Sequence, residues 1–237
     1  MGKNMKTLGI IGGLGPETSA KFQLEVIFFC LKNNKNKRPP FLSWNVPVDL
    51  KMEREVITKN GDEKLFLPLL KSAAKILESA GADFLVMPCN TLHIFIEDIR
   101  RSVNIPTLSI IDEAIKTLKD ENIKKVGILA TSKTIKNDLF GNTLKDNGIE
   151  QIILNKKDQS VLDKIIYKII NGKNLPRDKA KVNQTIAKLI RSGAEKILLA
   201  CTDLQLIIKN HPQVEILDTM QILAQASSRE ILKGGDD

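Results

Sequence analysis

The chain has 237 residues, of which 42% are hydrophobic and 27% are charged, a composition that allows a buried core in one large domain or two smaller lobes. Its longest apolar runs, at 84–88 and 197–201, are far shorter than the roughly 20 residues of a membrane-spanning helix, and no signal-peptide pattern is visible, so we expect a cytoplasmic protein without a membrane segment. The net charge of +8 comes from lysines spread over many segments with few aromatic neighbours, which favours a solvated basic surface over a nucleic-acid interface.

The first half of the chain alternates between strand-like apolar runs and segments with helical periodicity. The pattern predicts, in chain order, a strand at 7–11, a turn at 12–16, a helix at 17–31, a loop at 33–40, a strand at 41–46, a helix at 62–80 and a strand at 84–87. Pro68 fits the second helix only in an early turn or at a kink, and Gly81 ends that helix. Such alternation is typical of an α/β protein with parallel sheets.

The order of elements repeats in the second half. Residues 6–11 resemble residues 124–129, and residues 81–89 resemble residues 193–201, so that each copy carries a cysteine eight residues after a glycine. Chance similarity remains an alternative, because helix–glycine–strand segments are common in α/β folds. We interpret the match as a duplication that forms two lobes related by a pseudo-two-fold axis. Both cysteines then lie at carboxyl ends of parallel strands, where ligands gather, and the cleft between the lobes would expose a bound molecule to one thiol from each side.

The number and spacing of the cysteines and histidines argue against a disulfide framework and against a zinc site. Three cysteines are too few for a disulfide framework in a chain of this length. The sequence contains no CxxC, and its only histidines are His93 and His211, so a zinc site is poorly supported. Cys30 lies in an apolar stretch and is predicted to pack in the core.

Two opposed thiols suit the inversion of a carbon that bears an acidic proton. Cys89 and Cys201 could each serve one face, one starting as thiolate and the other as thiol. A cysteine has an ordinary pKa of about 8.5, which a helix N-terminus lowers. Small polar residues follow both cysteines and then an apolar helix is expected, so Asn90, Thr91 and Thr202 are predicted either to donate to a substrate carboxylate or only to cap helices.

Other polar residues and turns adjoin the two cysteines in this interpretation. His93 and Asp203 are predicted either to hold or relay protons or to be surface residues of their helices. The glycine turn at 12–16 could bind an anion through its N–H groups, but Thr18 stands where a dinucleotide fingerprint needs Gly or Ala. The corresponding hydroxyl-rich turn at 130–134 contains Thr131. Both turns also have a purely structural interpretation.

The sequence resembles the aspartate/glutamate racemase family along nearly its whole length. The matching motifs are Gly12-Gly13-Leu14-Gly15-Pro16, Pro88-Cys89-Asn90-Thr91-Leu92-His93, Ala130-Thr131 and Ala200-Cys201-Thr202-Asp203-Leu204. The resemblance implies no pyridoxal phosphate or other cofactor, no metal, Cys89 and Cys201 as paired bases, and a homodimer. It also implies that the C-terminal helix returns to the first lobe, which gives lobes at 1–105 plus 214–237 and at 106–213.

The resemblance implies racemisation of aspartate or glutamate. The substrate-binding residues expected on this basis are Gly13, Leu14, Lys51, Asn90, Thr91, Leu92, Thr131 and Thr202. Lys51, with Arg54 next, is the cation nearest to the position where the family binds the side-chain carboxylate through an Arg, and Asn171 stands where a second cation is usual. A Lys cannot reproduce the bidentate geometry of an Arg. A broad-specificity amino-acid racemase, a maleate isomerase-like or arylmalonate decarboxylase-like relative, and a catalytically silent amino-acid-binding protein therefore remain alternatives.

The family motifs are matched with four substitutions. Ala200 and Asp203 replace the family's usual Gly and Glu around the second cysteine, Leu14 stands where Met is frequent, and Lys133 stands where Gly is frequent.

Overall fold

A computed structural model describes residues 5–33, 37–49, 56 and 61–233. The strands are β1 (Leu8–Gly12), β2 (Phe41–Asn45), β3 (Phe84–Val86), β4 (Lys125–Ala130), β5 (Glu150–Ile152), β6 (Lys196–Ala200) and β7 (Glu215–Asp218). The α-helices are α1 (Pro16–Asn33), α2 (Leu67–Ser79), α3 (Ile96–Arg100), α4 (Ile110–Asp120), α5 (Ser132–Lys136), α6 (Gly141–Asp146), α7 (Lys156–Ile170), α8 (Pro176–Arg191) and α9 (Thr219–Leu232). Short 3-10 helices span Glu63–Phe66, Thr91–Phe95 and Leu204–Leu206. No helix among these residues is long and apolar enough to cross a membrane.

The chain forms two compact units, residues 1–113 with 220–237, and residues 114–219. In the first unit the strand order is β2-β1-β3, and β1 pairs in parallel with both neighbours. Every residue of β1 is buried, as expected for a central parallel strand with both faces covered. Helix α9 belongs to this unit, where the Lys6 N–H donates to the Ile231 carbonyl over 3.0 Å.

The second unit has the strand order β5-β4-β6-β7, and all of its pairings are parallel. Its core packs β4 and β6 against α7 and α8 through Leu129, Leu162, Ile186 and Leu199, among others. The predicted fold class, an α/β protein with two parallel sheets flanked by helices, is confirmed.

The two units repeat the contact between their central strand and the following helix–strand segment. A Cβ added at Gly9 of β1 would lie 2.6 Å from the Leu85 side chain and 2.9 Å from the Ala82 Cβ. A Cβ added at Gly127 of β4 would lie 2.7 Å from the Ile197 side chain and 3.2 Å from the Ala194 Cβ. The two glycines are partners of Leu85 and Ile197 in their sheets. Each unit therefore needs glycine here for the same reason: close approach of the third strand.

Substitution of these two glycines tests the repeat. We expect Gly9→Ala and Gly127→Ala each to lower the free energy of unfolding by about 1–3 kcal/mol, because the new methyl group overpacks a filled core. Gly81→Ala is the control: nothing lies within 4 Å of an added Cβ, and only its positive φ of 96° costs stability, about 1 kcal/mol. Urea unfolding measures all three. An effect of Gly9→Ala no larger than that of Gly81→Ala would contradict the packing argument.

The predicted helix at 62–80 differs from the observed structure at its start. Residues Glu63–Phe66 form a 3-10 helix capped by the Asp62 side chain, and the α-helix begins only at Leu67. Pro68 explains the change, because it has no N–H to donate to the Lys64 carbonyl and the Leu67 N–H donates to it instead. Pro68 thus lies in the first turn, as predicted.

Candidate active site

Each cysteine turn follows the third strand of its unit. Cys89 comes three residues after β3 ends, is partly buried, and donates its backbone N–H to the Met87 carbonyl over 2.8 Å. Cys201 comes directly after β6 and is 6% exposed. Parallel sheets gather ligands at this end, so each sulfur lies where chemistry is expected in its own unit.

The glycine turn after β1 is built around Ser19. The Gly13 N–H donates to the Ser19 hydroxyl over 3.1 Å, and that hydroxyl donates to the Gly15 carbonyl over 3.0 Å. Gly13 has a φ of 84°, and a Cβ at this position would lie 2.7 Å from the Val46 nitrogen. The turn therefore requires glycine both for its left-handed backbone and for the close approach of the loop after β2.

The first unit brings several predicted residues together. Leu14 and Leu92 belong to one buried cluster, and Cys89 packs against it. Asn90 is 2% exposed, whereas Thr91 is partly buried. The structure thus places Leu14 of the glycine turn with Cys89 and Leu92 of the first cysteine turn around one apolar core at neighbouring strand ends.

The second unit places Thr131 beside the second cysteine turn. Ala130 and Ala200 are register partners, so Thr131 and Cys201 each come directly after a paired residue on adjacent strands. The Thr131 hydroxyl accepts from the Thr134 N–H over 3.2 Å and caps α5. Thr131 therefore acts as a helix cap, which is the structural interpretation of its turn, and it adjoins the second cysteine.

Two polar side chains of α7, Gln159 and Asp163, hold the turn that contains Thr131. The Asp163 carboxylate accepts from the Ser132 N–H over 2.9 Å, from the Ser132 hydroxyl, and from the Gln159 amide over 3.0 Å. The same amide donates to the Ala130 carbonyl over 2.9 Å. These residues of α7 thus hold the backbone on both sides of Thr131.

The second cysteine turn is buried throughout. Thr202 is 3% exposed and Asp203 is 9% exposed, so the interpretation of Asp203 as a surface residue was wrong. The Cys201 sulfur lies 3.8 Å from the Asp203 Oδ2, a distance at which the thiol donates to the carboxylate. An ionised Asp203 favours the protonated form of Cys201, because two adjacent negative charges repel each other.

His93 is also buried, so its surface interpretation was wrong. The ring is 2% exposed, its Nδ1 lies 2.6 Å from the Cys89 carbonyl oxygen, and its Nε2 accepts from the Ile110 N–H over 3.0 Å. Burial lowers the pKa of His93 from 6.5 to about 4, against the opposing effect of its bond to the Cys89 carbonyl. His93 is therefore neutral at physiological pH, and this carbonyl accepts its one ring proton.

The elements after the cysteines differ from the predicted apolar helices. Asn90 and Asp203 occupy N-cap positions of 3-10 helices, but neither side chain makes a capping hydrogen bond. The turns close by bonds across three residues, as in the donation from the His93 N–H to the Asn90 carbonyl over 3.0 Å. Helix capping alone therefore does not account for Asn90.

The positions compared with the family's binding site for the side-chain carboxylate are Lys51, Arg54 and Asn171. Lys51 and Arg54 lie outside the described residues. Asn171 ends α7 and donates to the Tyr167 carbonyl over 2.7 Å, while Lys168 beside it forms an ion pair with Asp178 at 3.0 Å. Within the described part of the chain, no group of three His, Cys, Asp or Glu residues could hold a metal ion.

Sequence reasoning missed the residues that support the turns. These are Ser19, Gln159, Asp163 and Gln205. Each acts through hydrogen bonds to backbone atoms, which leave no motif in a single sequence. The only available signal was the position of Gln205, four residues after Cys201, which corresponds to that of His93 after Cys89.

An α/β protein with a cysteine turn at a strand end in each of two repeated units is equipped for thiol acid–base chemistry. A family model described as Asp/Glu/Hydantoin racemase matches residues 11–227. The chain belongs to this family. The predicted family and enzyme class, an amino-acid racemase and hence an isomerase, are thereby confirmed.

Three relatives show how far the similarity extends. The broad specificity amino-acid racemase RacX of Bacillus subtilis is 28% identical over 225 residues, which cover 93% of this chain and 96% of the relative. The structure of a putative Asp/Glu racemase from Yersinia pestis matches with a TM-score of 0.83 at 28% identity and covers 96% of this chain and 100% of that one. The aspartate racemase of Picrophilus torridus matches with a TM-score of 0.80 at 25% identity, covering 95% and 94%.

Proposed function

We propose that the chain interconverts the L- and D-forms of an acidic amino acid, aspartate or glutamate, with Cys89 and Cys201 as the two acid–base groups and without a cofactor. The observation that carries the proposal is the repetition of one arrangement: a glycine-dependent contact, a third strand, and a cysteine at the end of that strand, in both units. A single-base enzyme of this fold would need only one of the two cysteines.

The reaction needs one thiolate and one thiol. The thiolate removes the α-proton from one face, the other thiol donates its proton to the opposite face, and the two groups exchange protonation states. The contact between Cys201 and Asp203 at 3.8 Å supports Cys201 as the group that starts protonated for one enantiomer. Cys89, which is more exposed than Cys201, then starts as the thiolate.

The α-carboxylate is assigned to the cysteine turns and the glycine turn. Asn90, Thr91 and Thr202, next to the sulfurs, supply the polar side chains that bind it, since the N–H groups of Gly13 and Cys89 already donate to Ser19 and Met87. Gly13 and Thr131 open the corresponding turns after the central strands. Leu14 and Leu92 supply apolar surface, which strengthens the electrostatic interactions of a bound carboxylate.

The distal carboxylate is assigned to Lys51 on the strength of its position in the sequence. A racemase for acidic substrates needs a cation for this group, and the broad-specificity alternative does not. The alternative is favoured by the similarity to RacX over nearly the whole of both chains. Substrate preference therefore decides between the two proposals.

A chiral assay over all proteinogenic amino acids tests the function. We expect turnover of aspartate or glutamate to exceed that of apolar amino acids at least tenfold, and we expect Lys51→Ala to lower kcat/KM for the acidic substrate about tenfold or more, since a charged hydrogen bond is lost. Lys164→Ala, an exposed change on α7, is the control. Equal rates with apolar amino acids establish the broad-specificity alternative, and binding without turnover of any of them overturns the proposal.

A further inference from the structure

A buried polar side chain lies four residues after each cysteine. His93 follows Cys89 and is 2% exposed, and Gln205 follows Cys201 and is 1% exposed. Burial of a polar side chain costs free energy unless hydrogen bonds replace its contacts with water. The two residues differ chemically, so a shared role must come from what they donate and accept.

Both side chains donate to a carbonyl of their own cysteine turn. The His93 ring bonds to the Cys89 carbonyl at 2.6 Å, and the Gln205 amide donates to the Thr202 carbonyl over 2.9 Å. These carbonyls belong to the cysteine itself in one unit and to the next residue in the other. The His93 bond therefore restrains the peptide between Cys89 and Asn90, and the Gln205 bond restrains the peptide between Thr202 and Asp203, one residue beyond Cys201.

The second ring nitrogen of His93 fixes the state of the first. Nε2 lies 3.0 Å from the Ile110 nitrogen, which as a backbone N–H can only donate. Nε2 is therefore unprotonated, and Nδ1 carries the proton that the Cys89 carbonyl accepts. The ring thus bridges the cysteine turn and the first residue of α4, with Asp112 and Arg100 as the charged groups that act on it. With both nitrogens bonded to backbone, the ring has no nitrogen left to exchange a proton with sulfur.

We infer that His93 and Gln205 are equivalent positioning residues that hold the two cysteine turns, and that neither carries a proton in the reaction. This inference rests on the proposed function for its catalytic meaning. The fourth residue after the cysteine has the same role in both copies, although it is a histidine in one and a glutamine in the other. A turn held in this way keeps the sulfur and the adjacent N–H groups in one geometry through both half-reactions.

Substitutions at His93 separate the two hydrogen bonds. His93→Asn keeps an N–H donor at the Nδ1 position, whereas His93→Leu removes both bonds. We expect His93→Leu to lower kcat about 100-fold through misplacement of the thiol, and His93→Asn to recover at least tenfold of that loss with both limbs of the pH profile intact. Gln205→Met, which keeps the shape and removes the donor, is expected to resemble His93→Leu. Circular dichroism and melting temperature establish that each variant is folded. Failure of His93→Asn to recover activity, or loss of a pH limb, overturns the inference.

Two further measurements test the inference without requiring racemase activity. In the Cys30→Ser, Cys201→Ser background, we expect the alkylation rate of Cys89 by iodoacetamide to change in His93→Leu and to return toward its original value in His93→Asn. Nitrogen-15 NMR, assigned with the His211→Asn variant, is expected to show the Nδ1–H tautomer of His93 from pH 5.5 to 8. The Nε2–H tautomer, or an alkylation rate of Cys89 that is the same with and without the His93→Leu substitution, overturns the inference. Neither result depends on racemisation, so failure of the proposed function is recognised separately.

Discussion

Replacement of Cys89 or Cys201 by alanine is expected to abolish racemisation, with kcat falling at least about 1,000-fold. A positioned acid or base contributes about 10²–10⁴-fold, and loss of either thiol leaves one face of the α-carbon without a proton donor or acceptor. The chiral assay measures the loss. Cys30→Ala is the matched control, because Cys30 is fully buried within the first unit and burial raises its pKa. Activity that survives Cys89→Ala contradicts the two-base scheme.

Serine substitutions give a sharper form of the same test. With one cysteine changed to serine, the remaining thiolate still reaches the α-proton of one enantiomer and exchanges it with solvent. We therefore expect each single variant, in deuterium oxide, to label one enantiomer of the substrate without inversion, and the two variants to label opposite enantiomers. Mass spectrometry with chiral separation detects the label. Labelling of the same enantiomer by both variants would place both thiols on one face of the substrate and would end the proposal.

The fold was predictable because its signals are local and repeated. The sequence of the buried strand β1 is a continuous apolar run. Gly9 and Gly127 occupy matched positions because the third strand of each unit leaves no room for a Cβ there. The missed feature is the 3-10 form of the segments after the cysteines. Leu92 and Phe95 are buried while Ile94 is 38% exposed, a spacing that suits three residues per turn but that periodicity alone does not separate from an α-helix.

The candidate site was predictable only where a residue type itself carries chemistry. Cys89 and Cys201 were predicted from the chemistry of a thiol at a repeated strand end, and their catalytic role stays a prediction. Ser19, Asp163 and Gln205 could not be found, because they bond to peptide groups that come near them only after folding. His93 illustrates the boundary: its position was identified as relevant, but its tautomer and its partner Ile110 follow from tertiary structure alone.

Acidification is expected to destabilise the first unit through His93. The pKa of His93 is about 4 in the folded chain against 6.5 when unfolded, since burial disfavours the charged ring. The unfolded chain therefore binds the proton more tightly, and the free energy of unfolding decreases as the pH falls from about 6.5 to 4. Each pKa unit corresponds to about 1.4 kcal/mol, so the total loss is roughly 3 kcal/mol. The stability that His93 contributes is fully present above pH 6.5.

The single tryptophan, Trp44 on β2, lies in the same unit and reports its unfolding. Urea titrations followed by tryptophan fluorescence between pH 4.5 and 7.5 are expected to show the decline in the unaltered chain and a much flatter profile in His93→Asn, whose amide does not titrate. The slope with pH is the quantity compared, because the substitution also changes the absolute stability. The pKa of Glu230 in α9 is lowered by Lys233 and Lys6, so the stability that it contributes is lost only as the pH falls below about 4.5, outside this range. A decline of equal slope in His93→Asn would show that the buried ring is not its source and would remove the physical basis for treating His93 as a neutral bridge between Cys89 and α4.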